Sequence, residues 1–130
     1  MADVTVLNSE VTALGTVTEL KLAAATSTVA GTAEEFTITP DPEKQMGRCA
    51  IVIKNGYAGL AFSLAPGEFW ASGVALTGTV AAFDSTLSVI VVESAKYKKA
   101  NGTMSLTLTP ASGKALKTDH AAAVGFLELY

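Results

Sequence analysis

Residues 87–109 constrain the fold more than any other stretch, because two β-like runs flank a short basic loop there. In the first run, residues 87–92, apolar side chains occupy both alternating faces, which predicts a strand covered on both sides or engaged in a subunit contact. In the second run, residues 103–109, Met and Leu alternate with Thr and Ser, as in a half-buried strand. Asn101-Gly102 supplies residues that tolerate positive φ at the turn before it. This stretch predicts a β-protein.

Similar short runs, separated by turn formers, recur along the chain. We expect strands at residues 4–7, 35–39, 49–54, 57–64, 73–82 and 121–130. This succession, without a clear helix, predicts an all-β fold: an antiparallel, jelly-roll-like β-sandwich. A chain of 130 residues holds one such core and is too short for two, so residues 26–130 are predicted to form a single domain.

Residues 1–25 are patterned less clearly. Leu14 and Val17 suit the spacing of a weak helix, whereas Thr16, Thr18 and Leu20 suit a strand. Glycine and threonine in this segment favour extended structure. We therefore interpret residues 1–25 as an extended N-terminal arm or a first strand.

Asn55-Gly56 provides the strongest local signal. It lies between the apolar runs 49–54 and 57–64. A two-residue Asn-Gly loop between such runs is typical of a β-hairpin, because its twist matches that of the strands. The sequence predicts a hairpin here.

The charge content restricts the partners. Charged residues make up 16% of the chain and apolar residues 49%, which suggests surface hidden in an assembly. The net charge of -3 argues against nonspecific nucleic-acid binding. No apolar stretch approaches the length of a membrane span, so we expect a soluble protein that binds neither nucleic acid nor membrane.

The basic cluster comprises Lys96, Lys98 and Lys99, with Tyr97 among them. Beside an Asn-Gly turn, such a cluster is most simply a solvated loop. A contact to an acidic partner surface is a second interpretation, and a phosphate or single-stranded nucleic-acid contact is a third.

The residues that usually carry chemistry are sparse. Cys49 is the only cysteine, which we interpret as a small buried hydrophobe, and His120 is the only histidine, which we expect in a surface loop. Asp119 beside it would point away in an extended chain, so the two do not form a base and its orienting acid. We predict no enzyme activity, no metal site and no cofactor.

From about Phe36 onward the chain resembles the small tailed-bacteriophage proteins that decorate, or cement, the capsid. The resemblance lies in the apolar run 49–54, a Leu-x-x-Thr-Val-x-Ala segment at residues 76–82, and Ala-Lys-Tyr-Lys-Lys-Ala-Asn-Gly at residues 95–102 leading into a Thr-rich strand. The chain then ends on an apolar run, as such proteins do. At residues 93–95, Glu-Ser-Ala replaces the Gly-Pro-aromatic lead-in associated with the family.

The resemblance implies a structural virion protein that is made in the host cytoplasm and binds the outer capsid surface, often as a homotrimer. Its partners would be the major capsid protein and further copies of itself. In this mechanism the arm adds main-chain hydrogen bonds by strand augmentation, so a chain starting near Ala33 would fold without binding. The candidate contacts are Val4, Val6, Leu7, Arg48, Lys96, Tyr97, Lys98 and Lys99.

Two alternatives stay open from the sequence. One is a carbohydrate- or receptor-binding module of a tail or fibre, with Trp70, Tyr57 and Tyr97 as stacking platforms. The other is a tail-tube or head-completion subunit, which forms rings by itself.

Overall fold

The computed structural model describes residues 3–11, 15–41, 47–68, 73–82 and 87–128, and this part of the chain is all-β, as predicted. One 3₁₀ turn, Ser94–Lys96, accompanies the strands. The strands are β1 (Asp3–Glu10), β2 (Leu22–Ala24), β3 (Glu34–Thr39), β4 (Arg48–Lys54), β5 (Leu60–Leu64), β6 (Leu76–Val80), β7 (Ser88–Glu93), β8 (Met104–Thr109) and β9 (Ala123–Glu128).

The strands follow the order β6-β5-β8-β3-β1-β9-β4-β7, with β2 also beside β9. Strand β1 joins the two layers of this sandwich, because its first half pairs with β3 and its second half pairs with β9. Both pairings of β1 are parallel, whereas the other strand pairs are antiparallel. The predicted all-β sandwich is confirmed and its strand pairs are antiparallel except at β1, where long connections replace the hairpins that join antiparallel neighbours.

Two strands lie within the predicted arm of residues 1–25: β1 in its first half and the short β2 near its end. Val6 is fully buried in the core, and Val4 packs against that core. Since β1 pairs with both β3 and β9, it is a first strand rather than an arm. Residues 15–21, by contrast, belong to no strand, and Val17 is 94% exposed. Residues 12–14 lie outside the described part.

The Asn55-Gly56 hairpin is not formed. Strand β4 pairs with β7 and β9, whereas β5 pairs with β6 and β8. The connection between them therefore crosses from one layer of the sandwich to the other. Positions 49–53 of β4 are all buried, so this strand needs neighbours on both edges and cover on both faces.

The core lies between the two layers and is built from the inward side chains of both. It contains aliphatic residues, two phenylalanines and one thiol. Its largest fully buried apolar members are Phe36, Phe126, Ile38, Ile51, Ile53, Leu60, Leu64, Met104, Leu106, Leu108 and Leu116.

Candidate functional site

Strand β7 forms one end of the strand order and presents an apolar outer face. It pairs with β4 from Arg48↔Glu93 to Ile53↔Ser88, and no other described strand pairs with it. Val89 is 57% and Val91 58% exposed, and Leu87, just before the strand, is 47% exposed. We call Leu87, Val89 and Val91, together with the unpaired edge of β7, the β7 surface. An open edge that is also apolar is a ready template for another strand.

The apolar character of this face continues onto β4. Val89 lies opposite Val52, and Val91 lies opposite Ala50. Both β4 residues are buried, at 5% and 6% exposure, although they alternate with the core-facing side chains of that strand. The outward face of this layer is therefore apolar across the neighbouring strands β4 and β7, and the β7 surface is the exposed border of that face.

Arg48 borders the β7 surface at one end. It is exposed, and in the strand pairing it lies opposite Glu93, which is also exposed. An arginine at the edge of an apolar patch is typical of the polar rim of a protein interface. Among the predicted contact residues, Arg48 is the one that adjoins this surface.

The predicted basic loop turns two of its side chains inward. Tyr97 packs against the core, and Lys98 is only 9% exposed. The N–H groups of both residues donate to the carbonyl of Ser94, at 3.1 and 2.8 Å, which curls the chain after β7. Lys96 is exposed and Lys99 half-buried. The interpretation of this cluster as a solvated loop is therefore wrong for Lys98, and Tyr97 is half-buried.

The three predicted contact residues in β1 also differ in their exposure to solvent. Val6 is 0% exposed, so its side chain stabilises the core and is not available to a partner. Val4 is half-buried against the same core. Leu7, at 57% exposure, is the one that faces solvent. The alternation of a strand explains this division, since neighbouring side chains point to opposite faces.

A buried polar cluster around Asn55 and His120 was missed at the sequence level. His120 is 0% exposed, so the expected surface position is wrong. Its Nε2 accepts the N–H of Ala111 at 3.0 Å, and its Nδ1 lies 2.9 Å from Oδ1 of Asn55. Because Nε2 accepts, the ring proton is on Nδ1, which donates to Asn55. The histidine is thus a neutral ring held at both nitrogens.

Asn55 connects this ring to the opposite layer. Its Nδ2 donates to the carbonyls of Val80 at 3.1 Å and Ala81 at 3.3 Å, at the end of β6. Its Oδ1 also accepts the N–H of Tyr57 at 3.2 Å, and the N–H of Gly56 donates to the carbonyl of His120 at 2.7 Å. The Asn-Gly pair therefore ties three segments together instead of closing a hairpin.

The electrostatic setting of His120 favours the neutral ring. Burial lowers the pKa of His120 from its ordinary value of 6.5, while a backbone hydrogen bond with Tyr57 and the charge of Asp119 act in the opposite direction. The Tyr57 ring meets the imidazole edge-on, with centroids 5.5 Å apart, and the Lys114 ammonium lies 5.0 Å from the centre of the Tyr57 ring. These contacts leave Tyr57 42% exposed. Trp70, the main predicted stacking platform, lies outside the described residues.

The thiol of Cys49 is an inert part of the core. It is 2% exposed, and its Sγ donates to the carbonyl of Val92 at 3.6 Å. Burial raises the pKa of this thiol to about 11, Glu128 adds to the increase, and Lys98 opposes it. A thiol with that pKa is a poor nucleophile at neutral pH.

Glu34 is a buried carboxylate that stabilises the loop before β3. It is 0% exposed and accepts the N–H groups of Thr26 and Ser27 at 2.9 and 2.8 Å, together with the Thr26 hydroxyl at 2.6 Å. These bonds fasten the loop before β3 to the start of that strand. Its acceptor capacity is thus used within the fold.

Within the described ranges, no group of three or more His, Cys, Asp or Glu side chains is arranged to hold a metal ion. The same part of the chain contains no helix that is long and apolar enough to cross a membrane. No protein-family model, no curated protein and no solved structure matches this chain.

Proposed function

We propose that this chain is a structural virion protein that binds the outer surface of a bacteriophage capsid and stabilises it. The observation that carries the proposal is the β7 surface, a strand edge without a described partner strand and with exposed Val89 and Val91. The resemblance of residues 49–54, 76–82 and 95–102 to decoration proteins supports the same assignment. A protein whose product is a contact needs such a surface, and its low charge content suits close apposition.

In this proposal the major capsid protein supplies a strand that pairs with the open edge of β7. The main-chain hydrogen bonds fix the direction and register of that strand, while Leu87, Val89 and Val91 lose their contact with water. Arg48 at the rim forms polar contacts. Many copies on one shell, each a homotrimer, would convert weak single contacts into durable reinforcement.

Binding of the shell tests the proposal directly. Empty shells assembled without this protein are mixed with it, sedimented, and then heated to measure their resistance to disruption. We expect the wild-type protein to co-sediment and to raise the temperature at which the shells fall apart. A protein that stays in the supernatant at every concentration, or that forms rings or tubes alone, would contradict the proposed function.

Val91→Lys tests the role of the β7 surface. Val91 is 58% exposed, so lysine fits without disturbing the fold, but it places a charge in the contact; we expect affinity for the shells to fall at least tenfold. Thr79→Lys on β6 is the matched control, because Thr79 is an exposed strand residue at the other end of the strand order. Light scattering monitors the trimer for both variants. If Val91→Lys binds as the wild type does, the shell contact lies elsewhere.

A further inference from the structure

We propose that His120 is the pH-sensitive latch of the fold: it holds the Ala111 end of the latch loop, residues 110–122, against the β4–β5 connection and releases that end when the ring takes up a second proton. The latch consists of the bonds that reach His120 from two sides: Ala111 N–H to Nε2, and Nδ1 to Asn55 Oδ1. A third bond, from Gly56 N–H to the His120 carbonyl, adjoins them. The inference does not depend on the proposed function.

The geometry makes the closed latch incompatible with an imidazolium ring. A second proton on Nε2 would face the N–H of Ala111, so an acceptor would become a donor opposite a donor at 3.0 Å. His120 is 0% exposed, and water cannot solvate the new charge in place. Protonation therefore requires the ring to leave its site or the Ala111 segment to withdraw.

The charged and titratable groups around the ring do not compensate for the clash between a protonated Nε2 and the Ala111 N–H. The β4–β5 connection contributes Tyr57, which meets the ring edge-on, and the end of β6 contributes the carbonyls that hold Asn55. The latch loop contributes Asp119 and, on the far side of Tyr57, Lys114. Asp119 favours the charged ring, but its carboxylate accepts the N–H of Ala115 at 2.8 Å, and burial of His120 is the larger influence.

Contacts elsewhere in the latch loop confine the opening to the bonds around His120. Leu116 is fully buried in the core. The N–H of Gly31 donates to the Lys114 carbonyl at 2.9 Å, and the N–H of Lys117 donates to the Ser27 carbonyl at 3.0 Å. These contacts do not involve the imidazole, so they persist when the ring is charged. Acid thus loosens the junction between Ala111, Gly56 and Asn55 while the sandwich stays folded.

The direction of the pH effect follows from proton linkage. The closed state has a depressed histidine pKa, whereas an opened, solvated ring has the ordinary value of 6.5. The opened state therefore binds more protons as the pH falls below 6.5, and closure is fully favoured above that pH. The opening equilibrium constant should rise by up to about tenfold per pH unit until the pKa of the closed state is reached.

Amide hydrogen exchange and ¹⁵N NMR of the wild-type protein test the latch first. We expect a neutral Nδ1–H ring at pH 7.5, and loss of protection at the Ala111 and Gly56 amides between pH 6.5 and 5, after correction for intrinsic exchange rates. The Lys99 amide, which donates to the Thr103 carbonyl in the loop before β8, is the internal control and should keep its protection. An ordinary pKa for His120, or unchanged protection at Ala111, would overturn the proposal.

His120→Gln is the matched variant, because a glutamine side chain offers a carbonyl acceptor and an NH₂ donor group but does not titrate. We expect the pH dependence at Ala111 to disappear in this variant. If the dependence remains unchanged, a different group drives the opening and the proposal fails. Should the variant not fold, the wild-type ring titration and amide exchange still decide the question.

Discussion

At the residue scale, the polar side chains that matter most are those whose partners lie far away in the sequence. Asn55 contacts the Val80 carbonyl 25 positions later and His120 65 positions later. The Asn-Gly pattern predicts only local turn chemistry, so neither partner could be foreseen from it. Histidine alone in a loop rich in turn formers likewise indicates exposure. Burial of Cys49, in contrast, follows from its place in an apolar run and is confirmed.

Cys49 provides the first prediction. Because burial raises its pKa to about 11, the thiolate fraction at pH 8 is small, and the side chain is also closed to solvent. We expect an aromatic disulfide reagent to label the native protein at least about 100-fold more slowly than the protein in denaturant. Absorbance of the released thiolate measures both rates. Equal rates would show that Cys49 is accessible in the folded state.

At the element scale, local patterns predicted which residues form strands better than which strands pair. The alternation in residues 103–109 predicts a half-buried strand. Strand β8 does span Met104–Thr109, but its polar face is wet only toward the end, since Ser105 is buried at 6% exposure. The run at residues 87–92 predicts a strand that is covered on both sides or engaged in a subunit contact. Val89 and Val91 of β7 are exposed, so the described part of the chain does not cover this strand on both sides, and the subunit contact stays a prediction. The pairing of β4 with β7 and β9 depends on burial across the whole sandwich, and no turn motif encodes it.

Gly67 tests the contact between the segment after β5 and the chain after β7. Its N–H donates to the Lys96 carbonyl at 2.9 Å, and an added Cβ would lie 2.6 Å from the Lys98 carbonyl oxygen. Since that neighbour is backbone, Gly67→Ala should lower the free energy of unfolding by about 1–3 kcal/mol. Urea denaturation measures it. Gly73→Ala, whose Cβ would meet no atom of the described residues within 4 Å, is the control and should change stability by less than about 0.5 kcal/mol.

At the scale of the whole molecule, composition and the succession of short strands were sufficient to predict an all-β sandwich. The role of residues 1–25 was harder to predict, because a short Val-Thr run suits an arm as well as a central strand. What distinguishes the two is the parallel pairing with β3 and β9, which involves residues about 30 positions later and residues near the far end of the sequence. Val6 and Leu7 are both apolar, and they differ in exposure because this pairing places them on opposite faces of the strand.

Adjacent substitutions in β1 test its place in the molecule. Val6→Asp puts a carboxylate at a position with 0% exposure, and we expect it to abolish cooperative thermal unfolding near the wild-type temperature. Leu7→Asp, at a position that is 57% exposed, should leave the unfolding temperature within a few degrees of the wild-type value. Circular dichroism follows both transitions. Normal unfolding of Val6→Asp would mean that β1 is a dispensable arm.

The pairing of β1 with β9 also has a consequence for how the chain reaches its native state. The first described strand cannot complete its ladder until the last one has been synthesised, so no shorter portion emerging from the ribosome contains a closed sandwich. Distant pairings of this kind delay folding to the range of about milliseconds to seconds. During translation the stretch of β1 that pairs with β9 remains unpaired, and the nascent chain is then most vulnerable to association with its neighbours.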